Sequence, residues 1–147
     1  MIFDTQNMFS NQQVLTASTG STDVIDLGTT GIPYGNAEAI RREKGGGKKM
    51  PLLMQVTEDF NNLTSLEIKV QTSDDSAFGS GVLTHATSGA IPLANLKAGY
   101  QFNPDVVPLA QGEGMHRYMR VNYTLVGTAP TVGKITAGIT MGNQTNG

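Results

Sequence analysis

Residues 66–71, Leu-Glu-Ile-Lys-Val-Gln, alternate apolar and polar side chains without a break, and this two-residue period narrows the possible folds more than any other feature. Only extended backbone puts every second side chain on one face. The segment therefore predicts a strand that buries Leu66, Ile68 and Val70 and wets its other face. The same period recurs over 118–125, where Met119, Val121, Tyr123 and Leu125 share a face. It recurs again at Ile135, Ala137, Ile139 and Met141, with Thr136, Gly138 and Thr140 between them. Shorter strands are expected at 13–17, 24–27, 52–57, 81–85 and 91–96, each bounded by Gly, Pro, Asn, Asp or Ser.

About eight short strands joined by turns, with no recurrent helical period between them, predict an antiparallel sandwich or barrel. An eight-stranded double sheet is a jelly roll. The expected fold is all-β, an antiparallel jelly-roll-like β-sandwich of about eight strands with one long loop, in one domain over 1–147. Eighteen glycines and six prolines agree with many turns. A chain of 147 residues is long enough to bury roughly 68–70% of its unfolded surface and so to build a full core. A single helical turn is expected near 73–78. Residues 37–42 could form another, but Gly45-Gly46-Gly47 stops it, and the whole of 28–50 reads more simply as a long loop, well beyond the roughly 12–15 residues above which loops are functional or disordered. The tail 142–147 should fray. Residues 1–10 form an N-terminal arm whose Ile2, Phe3, Met8 and Phe9 are too few to pack alone. It should lie against the sandwich or against a neighbouring subunit.

Several function classes are disfavoured at once. The net charge is −2 and charged residues make up only 15%, against about 25% in a typical domain. The surface is then neutral and polar, with no broad field to draw nucleic acid or an anionic membrane. Cysteine is absent, so no disulfide, thiolate metal site or thiol nucleophile exists. The opening Met1-Ile2-Phe3-Asp4 lacks the basic and apolar segments of a secretory signal, and no run nears the ~20 apolar residues of a membrane span. The chain is expected to remain in the compartment where it is made.

The remaining candidates for chemistry fall short on spacing. Residues 41–49, Arg-Arg-Glu-Lys-Gly-Gly-Gly-Lys-Lys, hold five of the ten basic residues. They lack the first glycine of a phosphate-binding loop, and Lys49 stands where Ser or Thr would hold magnesium. The segment reads as a solvated loop or a docking arm for a protein partner. Nucleic-acid contact is the weakest of the three readings, because charge alone is its only support. His85 and His116 are the only histidines, too few for a three-histidine metal site, and are assigned structural or solvent-facing roles. Glu58-Asp59 and Asp74-Asp75 lie outside any loop of alternating calcium ligands and read as turn residues. Gly79-Ser80-Gly81 lacks the spacing of a nucleophile elbow. No catalytic, cofactor-binding or metal residue is assigned.

Four stretches carry a family resemblance: 1–10 (MIFDTQNMFS), 21–28 (STDVIDLG), 63–78 (LTSLEIKVQTSDDSAF), and 118–123 (YMRVNY) followed by 133–140. They are similar to the small cement, or decoration, proteins on the shells of tailed bacteriophages. The resemblance implies a jelly roll on the capsid exterior, in a virion assembled in the host cytoplasm, that bridges neighbouring major capsid protein subunits and stabilises the shell. It implies self-association, a homodimer first and a homotrimer second, with no enzyme activity, no cofactor and no nucleic-acid or membrane partner. The contact segments expected on this view are the N-terminus, with Ile2, Phe3 and Phe9, and the basic loop, with Arg41, Arg42, Lys44, Lys48 and Lys49. Two other classes compete. A carbohydrate-binding or host-adhesion β-sandwich would want clustered exposed aromatics, and a cupin-type metalloenzyme would want several histidines and a carboxylate on facing strands.

Overall fold

The computed structural model describes residues 3–42, 49–108 and 116–143. Among the described residues nine strands follow one another: β1 (Phe3–Val14), β2 (Thr19–Gly20), β3 (Ile25–Asp26), β4 (Leu52–Glu58), β5 (Leu63–Ser73), β6 (Leu83–Thr87), β7 (Ile91–Pro92), β8 (Tyr118–Gly127) and β9 (Lys134–Thr140). The only helical element among the described residues is a 3₁₀ turn at Leu93–Asn95. All pairings are antiparallel.

One sheet runs β1-β9-β4; the other runs β2-β8-β5-β6, with β3 also beside β8 and β7 also beside β5. The 99–107 segment extends the first sheet on the free side of β4. It bridges Pro51 to Val106 and Gln55 to Gln101, and Val56 and Leu52 donate backbone bonds to Tyr100 and Asp105 at 2.9 and 2.8 Å. The pairings are then nested: β1 with β9, β2 and β3 with β8, β4 with 99–107, and β5 with β6 and β7. Successive pairs alternate between the sheets. That is an antiparallel ribbon rolled up on itself, the jelly roll expected from the alternation.

The two strongest alternating segments face each other. β5 and β8 pair Ile68 with Tyr123 and Val70 with Val121, and all four side chains are buried between the sheets. The polar partners Glu67 with Thr124, Lys69 with Asn122 and Gln71 with Arg120 lie on the wetter face. Tyr123 is fully buried and its phenol titrates well above its ordinary range because burial disfavours the phenolate. Ser10 donates to Gln13 Oε1 at 2.6 Å, which leaves its oxygen to accept from the Tyr123 hydroxyl at 2.8 Å. This bond ties the two sheets together.

The expectations meet the structure unevenly. The N-terminal stretch takes the first of its two expected placements, against the sandwich: from Phe3 the chain is the edge strand β1, paired to β9. The turn over 73–78 is not helical; the Asp75 carboxylate accepts from Ala77 and Gly79 N–H at 2.9 and 2.8 Å and curls the backbone locally. Residues 37–42 are irregular, with a bend only at 37–38, as the long-loop reading expects. In β9 both faces are largely covered, because Phe3 packs over Gly138, whose missing side chain makes room for the ring. Met141 lies past the last paired residue and is exposed instead of joining the core.

Candidate functional site

The ends of β3, β5 and β9 and the starts of β1, β4 and β8 meet at one end of the sandwich. From there runs 27–42, the longest irregular segment among the described residues. The 27–42 segment folds back over the opening between the sheets and forms a cleft of about 300 Å³. Leu27, Met50, Val107, Met119 and Ile139 supply its apolar floor, drawn from both sheets. Thr29, Thr30, Gly31, Ile40, Arg41 and Arg42 form its walls and rim.

The covering segment is held at its root. Arg42 Nε donates to the Gly28 carbonyl at 2.8 Å, and the Ile40 N–H donates to Gly31 at 3.0 Å. Gly28 takes a positive φ of 80° where the chain turns out of β3, a conformation open to glycine at little cost. Asp26 anchors the turn: it accepts two bonds from Arg117, through Nε and Nη2, at 2.8 and 2.7 Å, and one from Gly28 N–H at 2.8 Å. Chiefly through Arg117, and then through Gly28, the Asp26 carboxyl falls from 3.8 to about 2. A carboxyl depressed on folding adds stability above its unfolded value, and the gain is lost as pH drops from about 4 through 2. An NMR titration should place the Asp26 midpoint near 2, and Arg117→Gln should return it towards 3.8. An unshifted midpoint in the native chain would refute the contact.

The expected contact residues divide. Arg41 and Arg42 stand at the cleft, and Lys49 is exposed next to Met50 of the floor. Phe3 sits at the same end, opposite Thr140, half-buried against Gly138. Phe9 leaves the contact set: it is 0% exposed, inside the core cluster with Leu15, Met54 and Tyr123. Ile2, Lys44 and Lys48 lie outside the described residues. Sequence reasoning overlooked the apolar side chains of the covering segment. Ile32 and Ile40 are 65% and 59% exposed and the Tyr34 ring is fully exposed. Their isolation within a polar, glycine-containing loop hid them, although large apolar residues in such a loop were themselves a signal.

The two histidines, 31 positions apart in the chain, converge. His85 Nε2 lies 2.7 Å and His116 Nδ1 3.1 Å from the hydroxyl of Thr72, which is fully buried on β5. One hydroxyl has one proton and two lone pairs, so it can bond both rings at once, the direction of each bond being set by the ring's tautomer. This fits the structural role expected for both residues. Thr72→Val should destabilise the fold by about 1–2 kcal/mol, since the shape is kept and the ring nitrogens lose this partner. Urea unfolding monitored by Tyr fluorescence measures it. Among the described residues no three His, Cys, Asp or Glu side chains are grouped to hold a metal ion.

A family model described as Bbp16 matches residues 9–139, which takes in the sandwich apart from the first six residues of β1 and the last of β9. No curated protein matches the chain.

Proposed function

The chain belongs to the Bbp16 family, and we propose that it is a structural virion protein that binds the outside of a phage capsid and bridges neighbouring major capsid protein subunits. The observation that carries this reading is the gathering, at one end of a jelly roll, of a long irregular segment with exposed Ile32, Tyr34 and Ile40 beside Arg41 and Arg42. Exposed apolar residues flanked by arginine are the composition of protein interfaces rather than of ordinary surface. The phage assignment comes from the resemblance of residues 1–10, 21–28, 63–78, 118–123 and 133–140 to cement proteins.

In this role the protein is not an enzyme and takes no cofactor. A shell stressed from inside is strengthened by many identical bridges, none of which needs high affinity, because each bound copy raises the effective concentration of the next contact. The protein would self-associate, most simply as a dimer, so that each bridge has two ends.

The test is the copy number of this chain relative to coat protein in gradient-purified particles. A fixed ratio matching symmetry positions is expected, and its value separates two-fold from three-fold placement. Absence from the particles, or only a few copies in each, would sink the proposal. The exposed Tyr34 ring is the one feature that favours a carbohydrate-binding reading instead. Specific glycan-array binding abolished by Tyr34→Ala would move the assignment there.

A further inference from the structure

Resting on the cement reading, we propose that the cleft under the 27–42 segment is a socket for one large apolar side chain carried on an acidic segment of the coat protein. Its floor offers Met50, Met119, Val107 and Ile139, an apolar surface from both sheets that pays no polar desolvation when a hydrocarbon side chain enters. Methionine adapts its shape to what it meets, and two of these floor residues are methionine. A volume of about 300 Å³ lies at the small end of ligand pockets and has room for a large apolar side chain together with part of its flanking backbone. Buried anchors of this kind carry most of the binding energy at protein interfaces.

The charge on the rim selects the flanks of that side chain. Arg41 and Arg42 line the opening and Lys49 follows close by in the fold, although the whole chain is net negative. Arg42 is engaged within the chain, by the Gly28 carbonyl and by the charge of Asp26, so the charge offered at the opening is that of Arg41 and Lys49. Glu38 reaches Arg41 only at 3.7 Å, with both side chains more than half exposed, a geometry that binds weakly. Asp26 is engaged twice by Arg117. A carboxylate beside the anchor therefore meets a cationic rim, which favours encounter and rejects basic segments.

The experiment uses particles assembled without this chain and measures the binding of added full-length protein. Ile40→Glu and Arg41→Glu should each weaken binding at least tenfold, and raising ionic strength to about 0.5 M should weaken the native protein too. Val132→Glu, at the opposite end of the sandwich, should bind as the native chain does. Ile40 and Arg41 are exposed, so thermal midpoints should barely move. Gly31→Phe gives an independent block: Gly31 lines the cleft, has no positive φ, and a Cβ there meets nothing within 4 Å. It should also lose at least tenfold. If native protein fails to bind, the cement reading itself falls. If native protein binds and all three cleft variants bind within twofold of it, the socket is overturned while the cement reading stands. If those variants instead lose self-association and bind shells as monomers at native strength, the occupant is a second copy and the proposal is equally overturned.

Discussion

Phe9→Ala is expected to lower the unfolding free energy by about 3–5 kcal/mol, the cost of removing a large aromatic from a core that cannot fully collapse around the void. The melting temperature should drop by on the order of 10 °C for a domain of this size. Phe9 is 0% exposed and packs in the central cluster, and its carbonyl accepts from Asp23 N–H at 2.9 Å. The loss therefore spreads to the start of the opposite sheet, where the chain turns towards β3. A residue of a detachable arm would behave otherwise, giving weaker partner binding with an unchanged melt. Differential scanning calorimetry decides between them. By the same reasoning, deleting residues 1–10 removes most of an edge strand and should unfold the protein rather than trim a contact.

Gly133→Ala should be comparably severe. Gly133 closes the turn into β9 at φ +134°, where an L side chain is strained by about 1–3 kcal/mol. Its Cβ would also collide with Cδ1, Cε1 and Cγ of the buried Phe60 ring, adding a further 1–3 kcal/mol or so of overpacking. The two costs sum to about 2–6 kcal/mol. They can be separated: Phe60→Leu in the Gly133→Ala background makes room for the methyl but leaves the backbone strained. The double mutant should then be more stable than the sum of the single losses by upwards of about 0.5 kcal/mol. Strict additivity would mean that the ring is not the obstacle.

These two positions show how unevenly the fold could be read in advance. β5 and β8 were legible because their pairing is unbroken from Ser65 to Ser73, with Leu66, Ile68, Val70, Met119, Val121 and Tyr123 repeating every second residue. β1 was not. Its register against β9 shifts between Phe3 and Met8, between Met8 and Ser10, and between Ser10 and Gln13, and each bulge resets which face the next side chain takes. A strand with three such shifts carries no steady period, so its apolar residues looked like a loose arm. The 99–107 segment was missed for a related reason: it pairs by isolated bridges with β4, too irregular to alternate.

The candidate site divides along the same line. Arg41, Arg42 and Lys49 stood out by charge, and the long segment containing them by its length. Nothing local linked them to Met50, Val107, Met119 and Ile139, which share a cleft only because two sheets end side by side. His85 and His116 meet on Thr72 for the same reason: three strands or strand ends must first come into register.

From residue order alone came the period-2 faces, the absence of thiol chemistry and the sandwich that buries those faces, since each depends on neighbours a few positions apart. The bulged β1, the convergence on Thr72 and the cleft beneath Ile40 came from the folded chain. They are contacts between residues as far apart in the chain as Phe3 and Thr140, and their geometry exists only once backbone pairing has set the register of both sheets.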